Sequence, residues 1–94
     1  MFYFYVIKSK KDNQLYFGYT SDLKNRFKEH NSGQTKSTKN RRPFILVYYE
    51  GYLSKRDAMQ REYQIKRRAK TLISLKKRIK NSLSEGVLAS SHEN

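Results

Sequence analysis

Two phenols, an arginine, a histidine and a carboxylate stand where local structure can bring them to a common surface. Tyr5 and Tyr16 belong to two short aromatic runs, FYFYVI and LYFGYT, and Gly18 follows two residues after Tyr16. Side chains alternate across a strand. Tyr3, Tyr5 and Ile7 therefore share one face, and Phe2, Phe4 and Val6 share the other. In the second run Tyr16 and Gly18 share a face, opposite Leu15, Phe17 and Tyr19. The Phe-rich faces suit a core. Core packing has no use for hydroxyls, so the Tyr5 and Tyr16 faces form a candidate site. Gly18 would leave the backbone there open to close approach. Tyrosine is also a good strand former, and ordinary packing accounts for the same pattern.

In LKNRFKEH, Arg26 and His30 lie four residues apart and are neighbours on a helix. An arginine beside a histidine can bind a phosphate, and the histidine can move a proton near neutral pH. A solvated helical face is the plain alternative. In AMQREYQIKRRA, with Ala58 set at zero, Glu62 falls at about 40° on the helical wheel, near Ala69 and Ile65. A carboxylate inside an apolar arc is unusual unless it is paired or bound to a metal. Mg²⁺ often uses only one or two carboxylates and takes its other oxygens from phosphate and water. A Glu62–Lys66 pair at the rim of the stripe is the alternative.

The charge narrows the partners. Lys and Arg number 21 against 8 acids, a formal net charge of +13 in 94 residues. A surface this basic predicts a polyanionic partner, nucleic acid first and anionic membrane second. Residues 54–80 are rich in Lys and Arg, with Asp57 and Glu62 as their only acids. Such a surface can track phosphates, but it reads no bases. Lys24, Arg41, Arg42, Lys66 and Arg67 are the candidate nucleic-acid contacts. The chain has no cysteine, which excludes disulfides, thiolate metal sites and a cysteine nucleophile. It fits a reducing cytoplasm. No run approaches the about 18 apolar residues of a membrane span. The apolar-then-basic start is the wrong order for a secretory signal. There is no phosphate-binding glycine loop, and His30 and His92 are too far apart to suggest zinc.

The elements that must position these residues follow from pattern. Residues 2–8 and Leu15 to Tyr19 read as strands joined by the turn Lys11-Asp12-Asn13-Gln14. Thr20-Ser21-Asp22 offers caps for a helix over Leu23 to His30, with Gly33 just past its end. QTKSTKNRRP is a basic loop, and Phe44 to Tyr49 a third strand. Ser54 to Asp57 resembles a capping box that opens a helix to about Ala69. Thr71 then caps a third helix, with Leu72, Leu75 and Ile79 on one stripe. The order is β-β-α-β-α-α, an α+β domain over residues 1–80. Residues 81–94 read as a short helical extension and a flexible tail.

Together these pieces resemble the GIY-YIG nuclease family. Tyr3-Phe4-Tyr5 stands where the family has its first triplet, and Tyr16-Phe17-Gly18 where it has its second. Thr20, Leu23, Arg26 and His30 match its T-x-x-L-x-x-R-x-x-x-H run. Arg42-Pro43 through Val47-Tyr48-Tyr49-Glu50 match a segment of its small stand-alone members, and Glu62 matches its metal-binding glutamate. Tyr3 and Phe4 replace the usual Gly and Ile, and Ser74 stands near the place of a late Asn. The resemblance implies a three-stranded antiparallel sheet flanked by helices. It implies Mg²⁺-dependent hydrolysis of DNA phosphodiesters, with Mn²⁺ as an alternative ion, and a role in DNA repair or recombination. Glu62 would hold the metal and Arg26 the phosphate. Tyr5 is the favoured general base with Tyr16 as its partner, though their roles can exchange, and His30 completes the set. Such chains often take their specificity from elsewhere, so a protein partner is expected and the oligomeric state is left open. A catalytically weak nucleic-acid-binding module of the same fold is the second expectation. A basic RNA-associated protein is a third, which leaves the position of Glu62 without a reason.

Overall fold

The computed structural model describes residues 1–84, so most of the expected tail lies outside the described residues. Three strands, β1 (Phe2–Ser9), β2 (Leu15–Thr20) and β3 (Phe44–Tyr52), form one antiparallel sheet in the order β2-β1-β3. Helix α1 (Leu23–Ser32) follows β2, and α2 (Lys55–Arg67) and α3 (Ala69–Arg78) follow β3. The fold is the expected α+β arrangement. The central strand carries alternating residues to two separate cores. On one face Phe4 and Val6 pack with Ile65 of α2 and with Leu75 and Ile79. On the other face Tyr5, Ile7 and Phe44 pack with Tyr16 and with Leu23 and Phe27 of α1. The phenol face is thus a second, smaller core under α1.

The helix ends follow from local chemistry. Asp22 caps α1, its carboxylate accepting from Asn25 N–H at 3.1 Å. Gly33 ends α1 at φ 84°, a left-handed conformation that glycine adopts without a Cβ penalty. Ser54 caps α2 through Arg56 N–H at 3.2 Å.

β1 and β2 each run one residue further than expected, and α1 runs two further, to Ser32. β3 runs three residues further, to Tyr52. The second helix stops at Arg67 rather than near Ala69, because Arg68 is extended (φ −122°, ψ 109°) and joins α2 to α3 directly. Thr71 therefore lies inside α3 and does not cap it. The bend at Arg68 turns α3 back onto the sheet, where Leu75 meets the same core as Ile65. The helical backbone resumes at residues 80–84, and Leu83 packs against that core.

One further lock holds α2 against the sheet. Glu50 on β3 accepts from Arg61 Nε at 2.9 Å and Nη2 at 3.1 Å, from Tyr48 at 2.6 Å, and from the Tyr52 hydroxyl. Burial alone would raise its pKa, but these donors outweigh burial and leave it below the usual carboxylate value. The position of the helix that carries Glu62 is thereby tied to β3.

Candidate active site

The phenol face assembles from three elements. Tyr5 comes from the central strand, Tyr16 from β2, and Arg26 and His30 from α1. In the β1–β2 ladder Tyr5 pairs with Gly18. The Tyr5 ring crosses directly over that glycine. A Cβ built on Gly18 would stand 2.5 Å from Tyr5 Cζ and 2.9 Å from Cε2. Gly18 is therefore a requirement of space, and the close approach expected from sequence is made by Tyr5 itself.

Beyond the glycine the Tyr5 hydroxyl meets His30 Nε2 at 2.7 Å, and both residues are fully buried. The other imidazole nitrogen, Nδ1, meets Thr38 Oγ1 at 2.8 Å. Thr38 is buried too, and its hydroxyl reaches the Thr35 carbonyl at 3.4 Å. If that hydroxyl donates to the carbonyl, its oxygen accepts from Nδ1–H, and Nε2 accepts from the Tyr5 phenol. The network thus assigns a neutral imidazole with one donor and one acceptor. Sequence reading missed Thr38. Its signal was slight, a β-branched hydroxyl in a polar loop, just before a short 3-10 turn (Lys39–Arg41). The loop is held in place by Asn31, whose side-chain amide pairs with both the N–H and C=O of Phe44 (2.7 and 3.0 Å).

The electrostatics agree with that assignment. Burial, reinforced by the Arg26 charge, pushes the His30 pKa down to about 4. Burial also pushes Tyr5 up to about 12, against a downward pull from Arg26, and Tyr16 and Glu62 add to the rise. Burial works against the Arg26 charge, but Glu29 and the two phenols offset it and raise its pKa above the ordinary value. Arg26 Nη1 is held by Glu29 at 3.0 Å and Thr35 Oγ1 at 3.4 Å. That aims the guanidinium, which also faces the Tyr5 hydroxyl, and leaves other N–H donors for a ligand.

The depressed His30 pKa has a consequence for stability. Unfolded His30 takes up a proton below about pH 6.5, while folded His30 resists protonation until about pH 4. The unfolded state then binds more protons, so stability falls as pH falls across this window. Urea unfolding is expected to show about 2–3 kcal/mol less stability at pH 4.5 than at pH 7. A His30→Gln variant should lose that slope. A flat wild-type profile would remove the buried neutral imidazole from the account.

Glu62 and Lys66 reach the site from α2, which crosses β1 and β2. Glu62 is half-buried and pairs with Lys66 Nζ at 3.6 Å. Lys66 Nζ also lies 5.8 Å from the Tyr16 ring centre. The Tyr16 ring in turn stands edge-on to His30, with centroids 5.0 Å apart. Tyr16, His30 and Tyr5 are thus linked through Lys66 to Glu62. The i,i+4 pair that sequence offered as an alternative exists, and it sits at the edge of this cluster. Glu62 lines an open cavity of about 640 Å³ together with Tyr19 and Tyr63.

The basic candidates divide. Lys24, Arg42, Lys66 and Arg67 are exposed. Arg67 rests on the Tyr63 ring, 5.2 Å from its centre, and Arg42 lies against Gly33. Arg41 is engaged elsewhere, its guanidinium bonded to Asp12 at 2.9 Å, which ties the loop to the β1–β2 turn. Among the described residues no group of three or more His, Asp or Glu is placed to hold a metal. Glu62 is a lone carboxylate, a donor set that suits an ion which keeps waters and draws its remaining oxygens from a phosphate. No helix among the described residues is long and apolar enough to cross a membrane.

Residues 1–78 match the model of the GIY-YIG catalytic domain. The chain is 51% identical over 71 residues to a UPF0213 protein of Pediococcus pentosaceus, covering 74% of each. It is 52% identical over 66 residues to the UPF0213 protein YazA of Bacillus subtilis, covering 69% of this chain and 66% of that one. A solution NMR structure of the UPF0213 protein BH0048 from Bacillus halodurans superposes with a TM-score of 0.48 at 44% identity, covering 81% of this chain and 86% of that one.

Proposed function

The chain belongs to the GIY-YIG family, and from that premise we propose that it is a Mg²⁺-dependent endonuclease that hydrolyses DNA phosphodiester bonds. The observation that carries the reading is the convergence of Tyr5 and Tyr16 with His30 and Arg26 of α1, with Glu62 at their margin. Hydrolysis needs a water deprotonated, a phosphoryl group held and a leaving oxygen stabilised. The free donors of Arg26 suit a phosphate oxygen through charge-assisted hydrogen bonds. Glu62 is the residue that would hold Mg²⁺, and the bound ion supplies positive charge to the phosphoryl group and the leaving oxygen.

Of the two phenols, the geometry supports Tyr16 over Tyr5 as the group that faces the attacking water. Tyr5 is buried, bonded to His30, and its pKa is pushed away from the neutral range. Tyr16 is half-buried and opens toward Lys66. Tyr5 then positions His30 and, through the shared cluster, Tyr16. We therefore propose the exchange of roles that the sequence left open, with Tyr16 as the base, because burial opposes the Tyr5 phenolate.

The test is nicking of supercoiled plasmid with Mg²⁺ and with chelator. Cutting is expected with the metal alone. Salt-sensitive binding with no cutting under either condition would favour the second reading, a nucleic-acid-binding module of the same fold. Equal cutting in both would rule out the metal.

A further inference from the structure

A second cavity, of about 520 Å³, opens beside the phenol cluster between α1 and the edge strand β3. Its walls are Tyr3, Leu23, Phe27, Leu46 and Tyr49, and Lys24 stands at its mouth. Nothing in the proposed hydrolysis uses it. Tyr49 is 53% exposed and Leu46 36%, an unusual display for residues on a sheet face. The Tyr3 and Tyr49 rings meet edge to face at 5.9 Å and 69°. Together they make a rigid aromatic corner.

The position of this groove matters as much as its lining. Tyr49 pairs with Tyr5 in the β1–β3 ladder. Tyr3 lies two residues before Tyr5 on the same face, about 7 Å away along the strand. Leu23 and Phe27 pack against both the groove and the Tyr5 cluster. Arg26 lies between Leu23 and Phe27 on the same helix, so a phosphate bound there would bring a neighbouring nucleotide toward the groove. An aromatic surface beside a basic group is how single strands are bound, each base offering a π face while cations follow the backbone. Bases inside an intact duplex cannot present that face.

We propose that this groove takes one unpaired base next to the scissile phosphate, so that the substrate class is DNA with an unpaired nucleotide at the cut. This rests on the nuclease reading above. Tyr49 and Tyr3 receive the base, Leu23, Phe27 and Leu46 enclose it, and Lys24 meets the adjoining phosphate. Asp22, also on the rim, has a carboxylate oxygen engaged by the Asn25 N–H. A second copy of the chain is a poor occupant, since each copy would bring a charge of +13 to the contact.

The test uses a single-stranded oligodeoxynucleotide with 2-aminopurine at one position, titrated with full-length protein in chelator so that no cleavage occurs. Stacking should quench the fluorophore. Tyr49→Ala should abolish the quenching and weaken single-strand binding about 10-fold, while duplex binding holds and Tyr49→Phe restores the quench. Bound but unquenched 2-aminopurine, or equal weakening on single strand and duplex, overturns the proposal. So does a concentration-dependent dimer that Tyr49→Ala disrupts. Because the readout needs no cutting, it stands apart from the nicking assay. A protein that cuts plasmid yet leaves 2-aminopurine unquenched keeps the nuclease reading and loses this one.

Discussion

Gly18→Ala is expected to lower DNA cleavage by about 100-fold or more, although the added methyl group touches no substrate. Gly18 is buried opposite Tyr5, and the new Cβ would overlap the Tyr5 ring, at 2.5 Å from Cζ and closest to the hydroxyl. The ring cannot shift without breaking a hydrogen bond, because its hydroxyl is held by His30 at 2.7 Å. Either Tyr5 swings out of the cluster or β2 moves away from β1. Both misplace His30 and Tyr16, and a misplacement of about 1 Å near the reacting groups can cost about 100-fold. Overpacking of this kind should also cost about 1–3 kcal/mol of stability. The cause can be isolated by combining Gly18→Ala with Tyr5→Leu, which vacates the space. The stability penalty of the alanine should shrink on that background while activity stays lost. Wild-type cleavage by the single variant would show that the place of Tyr5 does not matter to the reaction.

Glu62→Gln should abolish Mg²⁺-dependent cutting, by about 1,000-fold, while the fold is nearly untouched. The carboxylate is partly exposed and its only described partner is Lys66 at 3.6 Å. Pairs of this kind on a helix contribute about 0.3–0.5 kcal/mol, so thermal unfolding should barely shift. The amide keeps the shape but has no charge to hold a hard cation. Loss of several kcal/mol of metal-borne transition-state stabilisation corresponds to a rate loss of this order. DNA binding measured in chelator should persist or tighten, because a negative charge has left a basic surface. Retained cleavage would place the metal, or the activity, somewhere other than Glu62.

Much of this architecture is legible along the chain. The period-two alternation of FYFYVI and LYFGYT assigned each residue to its correct face, because a strand has only two. Asp22 and Gly33 marked the ends of α1 through capping chemistry that depends on a few neighbouring residues. The four-residue spacing of Arg26 and His30, and of Glu62 and Lys66, followed from the helical repeat. The end of α2 was not legible. Arg68 is extended because α3 must return to the sheet, and no local signal separates Arg68 from the residues around it. Nor was Thr38, whose value lies wholly in its contact with a histidine eight residues away.

Composition and spacing alone determined the basic character, the strand faces and the order of the elements. These are properties of single residues or of short repeats, set by nearest neighbours. Tertiary structure alone decided which phenol is buried, and burial is what raises the Tyr5 pKa, against the pull of Arg26. It also decided the groove beside them. Leu46 and Tyr49 are three apart and would face opposite sides of a regular strand. A bulge in the β1–β3 pairing, where Val6 meets Tyr48 and Ile7 meets Leu46, leaves Val47 over. That extra residue resets the alternation and brings Leu46 and Tyr49 to one face. A bulge arises from how two strands fit together, and neither strand encodes it alone.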